Sequence, residues 1–201
     1  MSESESASIL HALREAVPSA AIEPGPAVDM PTLYVDRDHM LDVFRVLRDD
    51  PSLQFSLLIE ITAADYFPAD PRFEVVYHLV CLGAAYAPMG PPAPARRLRV
   101  KVRVAGSDPK VPSLTPVYPS ANWLEREVFD LFGVSFDGHP DMRRILMPEE
   151  WDGHPGRKDY PVQIRKDTPS WSALQVTAEE FAASVQAQRD RAKLEIERSK
   201  N

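Results

Sequence analysis

The sequence predicts an α+β protein with a mainly antiparallel sheet of three to four strands, helices packed on one face of the sheet, and an extended C-terminal arm followed by a helix. Three observations indicate this fold: apolar residues at helical spacing before residue 50, apolar residues at alternating spacing over residues 53–104, and a later stretch rich in Gly, Pro and charge that fits neither period. The 201 residues are 44% hydrophobic and 26% charged, which suits one globular domain of about 100 to 150 residues plus an extension.

Two helices are predicted in the first fifty residues. Each has an apolar stripe that a proline ends: Ile9, Leu13 and Val17, then Met40, Phe44 and Leu47. Asp36 or Asp38 is the predicted cap of the second helix. Residues 33–35 are a predicted short strand, and residues 19–31 are a predicted loop.

Three longer strands are predicted next. Residues 73–82 are apolar on both faces except at two positions, which is typical of a central strand. Residues 97–104 alternate basic and apolar, so one face belongs to the core and the other is cationic, available to solvent or to an acidic partner. A loop of residues 83–94 with four prolines joins these two strands, and residues 111–118 are a predicted linker. In residues 53–61 the side chains predicted to share one face are Leu53, Phe55, Leu57, Ile59 and Ile61.

The functional candidate is the stretch of residues 122–161, which begins with a helix. Asn122 is the predicted N-cap, Glu125 would close a capping box with it, and Gly133 is placed for a left-handed C-cap. Arg126 and Asp130, four residues apart, are predicted to pair. One face is predicted to be a buried stripe of Leu124, Val128 and Leu131, and Trp123, Glu127 and Asp130 are predicted to lie together on another face.

After the helix, the density of Gly and Pro in residues 138–161 excludes a regular helix or strand, and we call this segment the connection. The charges of this connection come in tight clusters, and its arginines beside carboxylates suit bidentate pairing within the chain or across a contact. The clusters are Asp141 with Arg143 and Arg144, then Glu149, Glu150 and Asp152, then Arg157, Lys158 and Asp159.

The residues WLEREVFDLFGVSFDGHPDMRRIL followed by WDGHPGRKDYP resemble the signature of the C subunit of the proton-pumping NADH-quinone oxidoreductase, respiratory complex I. The resemblance covers about residues 53–161. It departs at Gly156, where the family pattern implies a larger apolar residue. The resemblance implies a structural and interfacial role for the signature residues Trp123, Glu125, Arg126, Glu127, Asp130, Gly133, His139, Asp141, Arg143, Arg144, Trp151, Arg157, Lys158, Asp159 and Tyr160.

The same resemblance implies a scaffold subunit of the hydrophilic arm with no catalytic residues and no cofactor of its own. FMN and iron–sulfur clusters are then expected on other subunits. The implied partners are the quinone-site subunit related to the large subunit of hydrogenases and the neighbouring iron–sulfur subunits. The implied location is the cytoplasmic side of the cell inner membrane, as a peripheral part of a membrane complex that transfers electrons from NADH to quinone.

Composition limits the alternatives. A net charge of −7 and a pI near 5.3 argue against nucleic acid as a direct ligand. The single cysteine, Cys81, cannot supply a four-thiolate cluster or zinc site, and no dinucleotide or nucleotide triphosphate loop motif is present. We expect no signal peptide and no membrane span, because the first ten residues are acidic and no apolar run approaches 18 residues.

A second hypothesis is a stand-alone hydrolase that uses His139 with Asp141 or Glu127. His139 and His154 are also possible metal ligands, although no third ligand stands at a recognisable spacing, and the simpler interpretation is that both hold loop shape by hydrogen bonds. The predicted division of the chain is residues 1–140 as the α+β domain, residues 141–176 as a partner-binding arm, and residues 177–201 as a polar helix.

Overall fold

The structure is a computed structural model that describes residues 3–83 and 95–161, together with Ala183 and Gln186, which are both helical. By its contacts the chain forms two compact units, residues 1–161 and residues 162–201. The predicted loop after residue 83, most of the predicted arm beyond Pro161, and nearly all of the predicted C-terminal helix therefore lie outside the described residues.

Three helices are present in the first unit: α1 at Glu3–Ala16, α2 at Met40–Asp49 and α3 at Ala121–Phe132. The apolar stripes of α1 and α2 are buried as predicted. The N-cap of α2 is His39, not one of the aspartates, but Asp36 still contributes because its Oδ2 accepts a hydrogen bond from the His39 backbone N–H at 3.1 Å. An aspartate three residues before the N-cap thus holds the N-cap residue in place.

The main sheet has five strands: β1 at Ile22–Pro24, β2 at Thr32–Val35, β3 at Leu57–Asp65, β4 at Phe73–Cys81 and β5 at Arg96–Val104. Their order is β1-β2-β5-β4-β3, and every pairing is antiparallel except β2 with β5. The prediction of an α+β fold with a mainly antiparallel sheet is confirmed, with one strand more than expected. The extra strand, β1, lies in the predicted loop, because three residues paired to β2 give no period of their own.

A second sheet joins β6 at Lys110–Pro112 to β7 at Ser135–Asp137 in parallel. The predicted linker therefore begins within a strand. This small sheet fixes the segment before α3 to the segment after it, so both ends of the helix are held by the same pair of strands.

The core lies between the helices and one face of the sheet. The ring of Phe44 on α2 contacts Tyr77 on β4 and Tyr118 before α3, with ring centroids 5.0 and 6.3 Å apart. Alternate residues of β4, including Phe73 and Val75, are fully buried on the same face. This arrangement confirms the helices on one side of the sheet.

The prediction for β3 is wrong in start and register. Leu53 and Phe55 are buried, but they lie in the turn that follows α2, where the Phe55 N–H donates to Leu47 O at 2.8 Å. The strand begins at Leu57, and its register shifts between Leu58 and Glu60. A bulge moves later side chains to the opposite face, so Leu57 and Ile59 are exposed while Leu58 and Ile61 are buried.

The cationic face of β5 is matched by carboxylates of the same chain. Lys101 Nζ lies 2.8 Å from Glu74 Oε2, and Arg99 makes a bidentate pair with Asp29 at 2.9 and 3.0 Å. The Arg103 guanidinium stacks on the Tyr34 ring at 3.8 Å. Most of the positive charge that the sequence places on this face is therefore neutralised locally.

Candidate functional site

Helix α3 begins at a different residue from the predicted one and ends as predicted. Its N-cap is Ser120 and its side chain makes no capping bond, so the predicted cap at Asn122 and the capping box with Glu125 are wrong. Gly133 has φ +70° and its N–H donates to Phe129 O at 2.8 Å, as expected of a left-handed C-cap. The Glu125 side chain instead faces the segment that precedes the helix.

Glu125 is fully buried and holds that segment. Its carboxylate accepts hydrogen bonds from the Leu114 N–H at 2.6 Å and from Ser113 Oγ at 2.7 Å. Burial raises the pKa of Glu125 to about 7, and these two hydrogen bonds oppose the shift. The Tyr77 hydroxyl is also buried and has no hydrogen-bond partner among the described residues, and burial and the Glu125 charge raise its pKa.

Asp130 binds the connection that follows α3. Its side chain has no exposed area, and its Oδ1 pairs with Arg144 Nη1 at 2.7 Å. Its Oδ2 accepts three consecutive backbone N–H groups, from Ile145, Leu146 and Met147, at 2.7 to 3.0 Å. These donors hold the pKa of Asp130 below its ordinary value although desolvation by burial, the largest influence, acts to raise it.

The face of α3 that is predicted to hold Trp123, Glu127 and Asp130 contains both exposed and buried side chains. Trp123 is 63% exposed and Glu127 is exposed, whereas Asp130 is fully buried. The predicted pairing of Arg126 with Asp130 is wrong. Arg126 instead donates to the carbonyl oxygens of Arg143 and Arg144, each at 3.0 Å, because the connection crosses this side of the helix. Of the predicted buried stripe, Val128 is buried and Leu124 and Leu131 are half-buried.

The connection also satisfies carbonyl groups at the C-terminal end of α3, which have no partners within the helix. Gly156 N–H donates to Leu131 O at 2.8 Å, and His154 Nδ1 lies 2.9 Å from Asp130 O. Arg157 Nε donates to Phe132 O and its Nη2 to Gly133 O. Arg144 and Arg157 thus place two cations beside the negative end of the helix dipole.

The departure from the family pattern at Gly156 has a local explanation. A Cβ at this position would lie 2.9 Å from Leu131 O and about 3.1 Å from the ring of Phe132. In this chain the absence of a side chain lets the backbone of residue 156 approach the last turn of α3 closely enough to donate to it.

A second fastening point was missed by sequence reasoning. Arg72, just before β4, makes bidentate pairs with Asp65 at the end of β3 and with Asp159 in the connection, at 2.6 to 2.9 Å. Asp65 Oδ2 also accepts the Lys158 N–H at 2.8 Å, and the Arg72 guanidinium is the main reason that the pKa of Asp65 falls to about 2. The sequence signal that could have found these contacts is an aspartate and an arginine at the two ends of the loop between β3 and β4.

The remaining signature residues also contact the backbone or one another. Arg144 Nη2 donates to the carbonyl groups of Trp151 and Gly153, and the Tyr160 hydroxyl donates to Asp152 O at 3.2 Å. Lys158 contributes its backbone N–H, while its side chain is exposed.

The geometry does not favour the hydrolase hypothesis. His139 Nε2 lies 2.9 Å from Asn122 O, and its Nδ1 accepts the Asp141 backbone N–H at 3.0 Å. With both ring nitrogens engaged by the backbone, neither is available as a general base. The Asp141 carboxylate instead forms a bidentate pair with Arg143 at 2.6 and 2.7 Å. Within residues 3–83 and 95–161 no group of three His, Cys, Asp or Glu side chains is arranged to hold a metal ion.

The fold and the site together define a small α+β domain in which charged side chains fasten a long irregular connection to the end of a helix. Residues 33–166 match the family described as the 30 Kd subunit of the respiratory-chain NADH dehydrogenase. This match covers well over half of the chain, and the chain belongs to that family.

Relatives and solved structures agree with this assignment. The chain is 44% identical to the NADH-quinone oxidoreductase C subunit of Roseiflexus sp. strain RS-1 over 158 residues, covering 79% of this chain and 85% of that protein. It is 49% identical to the corresponding C subunit of Saccharopolyspora erythraea over 132 residues, 65% of this chain, and spans about half the length of that relative.

Among solved structures, the trypsin-resistant fragment (1–134) of Nqo5 is 33% identical, with a TM-score of 0.52 over 67% of this chain and 97% of that one. A chain of the membrane-bound sulfane sulfur reductase, an archaeal respiratory membrane complex, is 26% identical, with a TM-score of 0.61 over 79% of this chain and 86% of that one. In the part of the chain that the structure describes, no helix has the length and apolar character needed to cross a membrane.

Proposed function

We propose that this chain is a structural subunit, without a cofactor of its own, in the hydrophilic arm of a proton-translocating NADH-quinone oxidoreductase. It docks on the quinone-site subunit that is related to the large subunit of hydrogenases, and lies on the cytoplasmic side of the membrane as a peripheral component. FMN and the iron–sulfur clusters belong to other subunits, as do the residues that react with quinone.

The observation that carries this proposal is how the charged residues of the signature are used. Glu125, Asp130, His139 and Arg157 bind backbone groups of the same chain, and Asp130 also pairs with Arg144. Side chains that are committed to holding the chain in place support a role in shape and assembly, and the names of the relatives supply the complex in which that shape is used.

Expression of the chain alone and within the complex tests the proposal. The isolated chain should show no visible absorption band and no stoichiometric iron or flavin on metal and cofactor analysis. A tag on this chain should retrieve a membrane-associated assembly that contains the hydrogenase-related subunit. Stoichiometric iron or flavin on the isolated chain, or recovery of a free monomer from membranes, would contradict it.

We also propose that part of the C-terminal arm depends on a partner for its order. The arm was predicted to begin at residue 141, but residues 144–159 make the polar contacts described above to α3, Asp65 and Arg72. We therefore expect limited proteolysis of the free chain to cut after Pro161 before it cuts within residues 141–161, and assembly to protect the later sites. First cleavage near Asp141 would favour the original boundary.

A further inference from the structure

Two large apolar side chains of the signature stretch are exposed. Trp123 on α3 is 63% exposed and Leu146 in the connection is 59% exposed. Isolated exposed apolar residues are common on soluble proteins, so exposure alone decides nothing. The contacts and charges around Trp123 and Leu146 distinguish this pair.

The contacts that fasten the connection to the helix hold the Trp123 ring and the backbone of Leu146 in place. The Arg126 guanidinium lies over the Trp123 ring, 5.1 Å from its centroid, and is itself fixed by the carbonyl groups of Arg143 and Arg144. Leu146 is fixed through its N–H, which donates to Asp130 Oδ2 at 2.7 Å. Trp123 and Asp130 are seven residues apart, about two turns or 10 Å along the helix, so Trp123 and the backbone of Leu146 lie on one side of it.

The charges near this pair are mainly negative. The exposed carboxylates are Glu127, four residues after Trp123, and Glu149, Glu150 and Asp152, which follow Leu146. Of the nearby cations, Arg144 pairs with Asp130 and Arg143 pairs with Asp141, while Arg126 donates to carbonyl groups. A surface of this kind has two exposed apolar side chains and an acidic rim.

We propose that this surface, Trp123, Arg126 and Leu146 with its acidic rim, is the anchor by which the chain docks on another subunit of the complex. This inference rests on the proposed function and identifies the docking residues. The partner site is a recess lined by apolar side chains and rimmed by Lys and Arg, because those groups complement the ring, the leucine and the four carboxylates. Tryptophan and arginine fixed before binding lose little conformational entropy on docking, which is typical of residues that dominate interfaces.

The first test compares the double variant Trp123→Ala, Leu146→Ala with a matched control, Val28→Ala. Val28 is 91% exposed and lies in the connection between β1 and β2. The double variant should lose at least about tenfold in affinity for the rest of the complex, measured by titrating the purified subunit into a subunit-depleted assembly. Its Tm in isolation should stay within about 4 °C of wild type. The control should match wild type in both assays.

A second test addresses the rim. Glu150→Lys should weaken docking and reduce its salt dependence, whereas Asp70→Lys, an exposed acid on the β3–β4 connection, should change neither. If both charge reversals weaken docking equally, the effect comes from the overall charge of the chain and the proposed rim is wrong.

Photo-cross-linking identifies the occupant. With benzoylphenylalanine in place of Trp123, the assembled chain should cross-link to a different subunit. Cross-links to residues 162–201 of the same chain, or to a second copy, would overturn the proposal. If the wild-type chain retrieves no respiratory subunit, the proposed function itself fails. If wild type and the double variant dock equally, only the assignment of this surface fails.

Discussion

Asp130→Asn is the sharpest test of how the connection is held on α3. The substitution keeps the size of the side chain but removes its charge, and it turns an amide N–H₂ towards either the Arg144 guanidinium or the three backbone donors of residues 145–147. Removing one partner of a buried ion pair costs about 3–5 kcal/mol. Because Arg144 retains 15% exposure while Asp130 has none, we expect the lower end, about 3 kcal/mol.

A loss of this size should lower the Tm of the chain by about 6 to 12 °C, since a domain of this length shifts by about 2–4 °C per kcal/mol. Hydrogen exchange should speed up at the amides of residues 145–147, while the Lys158 amide, bound by Asp65, keeps its protection. Glu127→Gln, an exposed acid on the same helix, is the matched control and should change the free energy of unfolding by less than about 0.5 kcal/mol.

The effect should also depend on pH. The pKa of Asp130 is lowered in the folded chain, so its contribution to stability is present above the ordinary value of 3.8 and is lost as the pH falls through the folded-state pKa. The difference between wild type and Asp130→Asn should therefore shrink in acid. A variant that melts within about 2 °C of wild type at neutral pH, with unchanged exchange at residues 145–147, would refute the reasoning.

Three further predictions concern the same region. The pKa of Glu125 is raised from 4.5 to about 7, so the chain should lose up to about 3 kcal/mol of stability as the pH rises between these values. In denaturant titrations at pH 5 and 8, Glu125→Gln should reduce that loss. If the variant loses as much stability as wild type between the two pH values, Glu125 is not the source of the loss. Arg144→Ala should lower the free energy of unfolding of the isolated chain by about 3 kcal/mol. Arg143→Ala should change it by less than about 1 kcal/mol, because the Arg143 side chain is 64% exposed. Equal losses in chemical denaturation would contradict the different roles given to the two arginines. Gly156→Ala should destabilise the chain by about 1–3 kcal/mol, because the added methyl group approaches Leu131 O within 2.9 Å, and a melting temperature at or above that of wild type would show that the connection yields instead.

The sequence pattern was sufficient to predict an element that is long enough to show its own apolar period. The stripes of α1 and α2 and the alternation of β5 are buried as the sequence predicts, because ten or more residues of helix and nine of strand repeat the signal several times. The pattern failed at β3, where Leu53 and Phe55 continue the alternation but belong to a turn. It also missed β1, β6 and β7, since three-residue strands are defined by their pairing and not by their side chains.

The sequence by itself determined that charged, Gly and Pro residues concentrate in residues 122–161, that α3 ends at Gly133, and which family the signature resembles. Only the tertiary structure decided what those charges do. Arg72 stands 87 residues from Asp159, and Asp65 stands 93 residues from Lys158, and the strands that bring them together are not adjacent in sequence to the connection they hold. Hydrogen bonds and ion pairs act over about 3 Å, so a partner that folding delivers from a distant segment leaves no local period in the sequence.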